Sequence, residues 1–323
     1  MQATRRTVLA ALALPWAARR AAAQAAWPPR VIRLIVPFAA GGAADSAARA
    51  ITPRMAERLG TTFVVENRTG AGGSVGGAEV ARSAPDGATL LWDASSHIVN
   101  HALLRNLAFD YTTAFTPVSQ VVTFPQVIAV KQDFPARTLA EFVALAKARP
   151  GTINVGTQGN ATAGHLGLAQ FMRRAGIDVQ HVPYRGGADA ARDLAAGNLD
   201  AVFITALSAG PIVDSGRARF LGVAAAERLA ARPEVPTIAE QGYPGFDISE
   251  WAALFGPAGL PAPIVERLHA ALAEALREPE VIARLAQLGA LPVGSLPADF
   301  ARYVREGRAA MTQLVRDANI RID

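Results

Sequence analysis

The sequence contains no cysteine. Disulfide staples and thiolate chemistry are therefore excluded, and an oxidising compartment is tolerated without being required. The apolar stretch near the N-terminus is far shorter than the roughly 20 residues needed to cross a bilayer, and no later segment reaches that length without charges or helix breakers. Basic charge is also scarce where it would matter. The formal charge is +5, but four arginines and no acid fall within residues 1–25, leaving +1 for the remainder. Without a retained basic face to neutralise phosphates, a nucleic-acid binder is not expected. Five histidines (His97, His101, His165, His181 and His269) form no tight metal-ligand motif. His97 and His101 are spaced to share one helix face, but no acidic residue stands between them as on a zinc-protease helix, so a solvated or capping role is expected.

What is present is apolar material in quantity: 323 residues, 51% hydrophobic and 18% charged, more than one domain usually holds. Two domains are expected. Glycine (28) and proline (21) are scattered between periodic segments and form no repeat or low-complexity tract. Residues 1–25 have the order of an export signal: Arg5 and Arg6, an apolar stretch from Thr7 to Ala18, then Ala23-Gln24-Ala25 for cleavage. Thr4-Arg5-Arg6-Thr7-Val8-Leu9 also approximates a twin-arginine signal, so either export route remains open.

Short β-branched runs alternate with helical spacing. A strand over 31–38 leads through a glycine pair into a helix over 43–59, with Ala47, Ile51, Met55 and Leu59 on one face. A strand over 62–66, a glycine-rich loop over 70–77, a helix over 78–83 and a strand over 89–93 follow. An extended apolar stretch over 118–130 is interrupted by Pro125. Thr138 with Glu141 makes a capping box for a helix over 138–148. A second α/β unit runs from about 153 to 224. Beyond it come a loop over 246–251, a strand over 252–257 and helices over 263–276, 280–288 and 297–318. This alternation predicts mostly parallel sheets covered on both faces, with ligand sites outside the carboxyl ends of the strands.

Three loops follow such strands. Phe38-Ala39-Ala40-Gly41-Gly42-Ala43-Ala44-Asp45 exposes main-chain N–H groups at a helix start, where an anion is favoured without any lysine or arginine. The alternative is a plain tight turn with Asp45 as a cap. Gly156 to His165 repeats the arrangement and adds the donors Thr157, Asn160 and Thr162 beside Gly159. Tyr184-Arg185-Gly186-Gly187 is the third, with Tyr184 either closing over a ligand or packing inside.

Together these residues resemble a family. Val36-Pro37-Phe38-Ala39 with Gly41-Gly42 and Asp45, Val65-Glu66-Asn67-Arg68 with Gly70-Ala71-Gly72-Gly73, Pro85-Asp86-Gly87, Val182-Pro183-Tyr184 with Gly186, and Pro236-Thr237 with Trp251 are similar to the tripartite tricarboxylate transporter substrate-binding proteins, the Bug family. The likeness covers essentially the whole chain after residue 25. It implies an α/β fold of the type II periplasmic binding protein kind, two α/β domains with a hinge and a ligand cleft. The expected boundaries are 26–127 plus 237–295 for the first domain, 128–236 for the second, and a C-terminal helix over 296–323 packing across both. It further implies an exported, monomeric, non-enzymatic receptor without cofactor or metal. Such a receptor grips a small carboxylate through backbone amides and ordered waters and hands it to membrane transporter subunits.

By position, the resemblance assigns Phe38, Ala40 and Asp45 to the first loop, Thr157, Asn160, Thr162 and His165 to the second, and Tyr184, Gly186 and Asp189 to the third. It places Ser95, Ser96 and His97, with Thr205 and Ala206, at the distal end of the ligand. The sequence departs from the family at Ala40, where proline is usual, at Ala161-Thr162, and at Thr205, often aspartate. A neutral Thr205 suits a ligand end that carries no ammonium. Rival readings are weaker. Gly70 to Gly76 imitates a dinucleotide loop but lacks the G-x-G-x-x-G spacing, with Asp93 only a partial match for the ribose acid. No G-x-S-x-G elbow is present for a hydrolase. A ligand sensor for a membrane signalling partner would use the same fold and the same closure.

Overall fold

The computed structural model describes residues 27–160 and 162–317; the expected export signal and Ala161 lie outside them. In chain order the elements are β1 (Val31–Val36), α1 (Ala43–Leu59), β2 (Thr62–Asn67), α2 (Ser74–Ala81), β3 (Thr89–Ala94), α3 (Asn100–Leu103) and β4 (Phe115–Lys131). The second unit holds α4 (Leu139–Ala148), β5 (Asn154–Thr157), α5 (Ala163–Ala175), β6 (Gln180–Pro183), α6 (Gly187–Ala195), β7 (Ala201–Thr205), α7 (Ala206–Asp214) and β8 (Ala218–Ala224). The chain then returns through β9 (Ser249–Pro257), α8 (Ala262–Ala275), α9 (Pro279–Gln287), β10 (Leu291–Pro292) and α10 (Pro297–Asp317).

Side chains alternate across each strand, so each strand feeds two cores. Ile32, Leu34 and Val36 of β1 pack with Ile51 and Met55 of α1 and Leu268 of α8. Ile35, between them, points the other way, to Trp251, Phe255 and the Phe300 and Val304 of α10. The same division splits the second unit, with Ile128 and Phe203 on one face and Val127, Val202 and Ile204 on the other. Helices thus cover both faces of both sheets, as the alternation of elements predicts.

One strand joins the two sheets. Over Phe115–Pro125, β4 pairs antiparallel with β9, and Thr123 also faces Leu291 of β10. From Gln126 onward it pairs instead with β7 on one side and β8 on the other. Pro125, which interrupts the apolar run in the sequence, stands at this change of partners, where a missing N–H is tolerated best. The return path differs from the expected boundary at 236–237. Ile238 and Phe246 still pack into the second core, and the Ile248 amide donates to the Ala224 carbonyl at 2.9 Å before β9 starts at Ser249. Helix α10 reaches both units, since its Leu314 and Val315 meet Leu166 of α5.

Two local expectations need correction or refinement. The glycine run 70–77, expected as a loop, is a 3-10 turn over Ala71–Gly73 followed directly by α2. Gly76 lies inside that helix because a Cβ there would meet Pro37 Cβ at 2.9 Å and the Arg68 carbonyl at 3.1 Å, so close packing on the β1 end selects glycine. The capping box at α4 forms: the Glu141 amide donates to Thr138 Oγ1 at 3.2 Å, while the Glu141 carboxylate accepts from the Arg137 amide at 2.6 Å, one residue earlier than the usual pattern. Among the described residues no helix is long and apolar enough to cross a membrane.

Candidate ligand-binding site

Strand direction decides where the loops face. β1 and β3 run parallel, and β3 and β4 each run antiparallel to β9, so the carboxyl ends of β1 and β3 lie at the edge where β4 leaves the first sheet. β5 and β7 run parallel to each other and antiparallel to β4, so their carboxyl ends lie at the edge where β4 enters the second sheet. Thr205, the last residue of β7, pairs with Gln126 beside the crossover. The loops after β1, β3, β5 and β7 therefore meet the gap between the units from opposite sides, the location where open α/β sheets bind ligands.

In the first loop Asp45 is turned inward. Its carboxylate accepts from the Gly41 amide at 2.8 Å, from Arg49 Nε at 3.0 Å and from Asn67 Nδ2 at 2.9 Å. Burial alone would raise its pKa, but the hydrogen bonds from Arg49, Gly41 and Asn67 outweigh that and hold it below the usual carboxylate range. Asn67 also donates to the Phe38 carbonyl at 2.9 Å, so Asp45 and Asn67 together set the loop's shape. Phe38 is half-buried and Ala40 and Gly41 are exposed. Gly42 provides no side-chain cap, so the first-turn amides of α1 stay open to an anion. The start of α6 is likewise uncapped, behind Gly186.

The hydroxyls picked out in the second loop are used internally. Thr157 is fully buried and its Oγ1 lies 2.7 Å from His181 Nε2. Thr162 caps α5, accepting from the His165 amide at 3.4 Å and donating to the Gly159 carbonyl at 2.8 Å. Asn160 is exposed at the tip. The His165 ring stacks on His181 with centroids 4.0 Å apart. Tyr184 is half-buried and donates to Asp193 Oδ2 at 2.6 Å, which ties it to α6 rather than leaving it free to swing. Asp189 pairs with Arg192 on the surface of α6. Thr205 caps α7, its Oγ1 2.9 Å from the Ser208 hydroxyl, with Ala206 half-buried behind it.

Burial lowers the pKa of His181 to about 4, with the neighbouring His165 adding to the effect. A histidine held neutral in the folded state contributes stability above its unfolded pKa of about 6.5 and loses it as pH falls toward 4. Urea unfolding midpoints should therefore drop from pH 7 to pH 5, and His181→Gln, which keeps a partner for Thr157, should flatten that drop. An unchanged slope in the variant would assign the pH dependence elsewhere.

His97, expected near the ligand, is a core group, and His101, expected in solvent or at a cap, is half-buried. His97 is completely buried, stacked on Phe255 at 4.0 Å. Arg308 Nη2 of α10 donates to its Nε2 at 3.2 Å, so the proton sits on Nδ1 and is donated to Asp93 Oδ2 at 2.8 Å. Burial, reinforced by Arg308, lowers the His97 pKa against the pull of Asp93. Asp93 is thus committed to a histidine and cannot serve a ribose. His101 bonds Thr312 Oγ1 at 2.8 Å. No group of three or more metal-ligating side chains occurs among the described residues.

Sequence reasoning missed Glu250. Its carboxylate accepts from the Ser95 amide at 3.0 Å, from the Ser95 hydroxyl, from the Trp251 amide at 3.3 Å and from the Ala163 amide. Glu250 therefore links the end of β3 in the first unit to the first turn of α5 in the second, and it occupies the donors of Ser95. Burial raises its pKa, and these donors partly offset the rise. The available signal was an acid directly before the apolar run 251–257. Ser96, the other expected contact here, has a buried hydroxyl without a hydrogen-bond partner among the described residues. A cavity of about 450 Å³ opens beyond, at the crossover, walled by Ser95, Ala163, Glu227, Asp247, Trp251 and Tyr303 among others. Of the residues selected from sequence only Ser95 lines it; the loops around Gly41, Gly159 and Gly186 do not.

Comparison with known proteins agrees with this architecture. The family described as tripartite tricarboxylate transporter family receptor matches residues 47–320. The UPF0065 protein in the tcbD-tcbE intergenic region of Pseudomonas sp. strain P51 is 38% identical over 296 residues, covering 91% of this chain and 88% of that one. Among solved structures, Rpa4515 of R. palustris with adipate superposes with a TM-score of 0.79 at 32% identity, covering 91% of this chain and 99% of its own. MatC of Rhodopseudomonas palustris with bound malate gives 0.74 at 34% identity, covering 90% and 100%.

Proposed function

This chain belongs to the tripartite tricarboxylate transporter receptor family, and from that premise we propose that it captures a small carboxylate between its two lobes for delivery to membrane transporter subunits. Receptors of this family are periplasmic solute-binding proteins, and residues 1–25 would direct the export. The observation that carries the reading is the convergence of strand ends from both sheets on one gap, with the α1 and α6 N-termini left uncapped there.

The ligand carboxylate would be held from one side by main-chain amides of the turn Phe38–Ala40 and the first turn of α1, because the Gly41 and Gly42 amides are already given to Asp45 and to the Ala39 carbonyl and serve to shape the turn. Gly159, Asn160 and Gly186 would approach from the other. Asp45, Thr157, Thr162, Tyr184 and Thr205 would act one step removed, because their polar atoms brace the loops and caps. Water bridges would fill the remaining space at little energetic cost. Binding both sides at once favours the closed arrangement, with β4 at Pro125 and the return at Ile248–Ser249 as the two flexing strands. Rpa4515 with adipate and MatC with malate make carboxylates the first class to try. The protein is read as a binder that releases its ligand unchanged.

A thermal-shift screen of the purified protein against mono-, di- and tricarboxylates, amino acids, sugars and nucleotides tests this. A ligand that binds only the folded state raises the melting temperature, by about 2.7 kcal/mol of stabilisation at a hundredfold excess over Kd. Carboxylates should give the shift. A response confined to sugars or nucleotides would overturn the assignment.

A further inference from the structure

We infer that the ligand is a short zwitterion, its carboxylate on the paired loops and an ammonium at the far end in the acid-walled cavity at the crossover. This rests on the carboxylate reading above and narrows it. The cavity begins where the loops end: Ser95 follows β3, whose neighbour β1 leads into the first loop, and Ala163 opens α5 directly after the second loop. It measures about 450 Å³, room for a short chain.

Its walls carry one sign of charge. Glu227 and Asp247 line it, Glu250 lies immediately behind Ser95, and among the described residues neither lysine nor arginine lines it. Asp247 has no hydrogen-bond or ion-pair partner among the described residues. Solvent reaches it, yet the cavity walls still desolvate it enough to raise its pKa. The Tyr303 hydroxyl is raised to about 12 by burial first, then by the negative fields of Asp247 and Glu250. The accessible Tyr303 ring adds surface that favours an organic cation, with Trp251 buried behind it.

A second ligand carboxylate here would face the like charges of Glu227 and Asp247, both exposed and so partly screened by solvent, a penalty of about three- to tenfold in affinity, whereas an ammonium gains by a similar factor. The neutral Thr205, which in the sequence suited a ligand without an ammonium, does not decide the matter. Its hydroxyl is engaged in capping α7, and the acids come from the return crossing instead.

Matched pairs of equal length separate the possibilities by calorimetry at pH 7: 4-aminobutyrate against succinate, 5-aminovalerate against glutarate, and 6-aminohexanoate against adipate. The expected result is that the amino member of the best-binding pair is at least tenfold tighter. Asp247→Asn and Glu250→Gln should each shrink that ratio several-fold, and ligand-free melting curves would show that the variants are folded. Dicarboxylates binding as tightly as their amino partners, or ratios unmoved in folded variants, would overturn this inference and leave the carboxylate site standing. If none of the six binds and no carboxylate responds in the wider screen, both readings fall.

Discussion

Asp45→Ala is expected to weaken carboxylate binding about thirtyfold, although Asp45 itself points away from the gap. Its carboxylate gathers the Gly41 amide, Arg49 and Asn67, and through Asn67 it fixes the Phe38 carbonyl. Removing it frees the glycine turn that presents the α1 amides and leaves Arg49 and Asn67 without their acceptor. Hydrogen bonds to a charged group are worth about 1.5–3 kcal/mol each. The side chain is covered but only thinly, and Arg49 is half exposed, so solvent screening reduces the sum to about 2 kcal/mol, which is the thirtyfold quoted. Asp45→Asn keeps an acceptor for Gly41 and should fall between parent and alanine. Because the folded pKa lies below the ordinary value of 3.8, the contribution is complete above that value and disappears as pH falls through the lower folded one. Titration calorimetry at pH 7 and pH 5 should show the same parent affinity. An alanine variant within twofold of the parent would remove Asp45 from the binding machinery.

Gly164→Val is expected to damage the second lobe more than any surface change. A Cβ at Gly164 would stand 2.5 Å from the Phe203 carbonyl and 2.6 Å from Gln158 Oε1, and the first of these is backbone that cannot turn aside. The start of α5 would have to lift from β7, moving Thr162 and the Ala163 amide that Glu250 holds. Overpacking of this kind costs about 3 kcal/mol, or a melting temperature lower by roughly 5 °C in a chain of this size. Ligand affinity should fall with it. Gly210→Ala is the contrasting control. It lies inside α7 with open space around the added methyl, and should be neutral or stabilising by about 0.5–1 kcal/mol. If both variants melt at the parent temperature, the close approach of α5 to β7 is not a constraint on this lobe.

The reading of the sequence succeeded wherever a local pattern has a local cause. Helix α1 follows from the spacing of Ala47, Ile51, Met55 and Leu59, all of which are buried. The capping box at Thr138 and Glu141 needs only four consecutive residues and forms. It failed where the cause is distant. Nothing near Gly76 announces that Pro37 presses against it, so a helix looked like a loop. His97 looked like a candidate for the ligand's distal end because it follows a strand, yet Phe255, Asp93 and Arg308 enclose it from three separate segments. Thr157, Thr162 and Thr205 have the right chemistry for a ligand but have already spent it on His181 and on two helix starts.

The sequence alone determined the α/β class, the two-lobed family resemblance and the loops that end the strands, because strand and helix periods and glycine turns are properties of adjacent residues. The tertiary structure decided the rest. It made β4 the shared strand whose direction brings both sets of strand ends to one gap, set Glu250 between Ser95 and Ala163, and gathered Glu227 and Asp247 around one cavity. Those groups are far apart along the chain, and a carboxylate's partners and field depend on what folding places beside it, which no local pattern encodes.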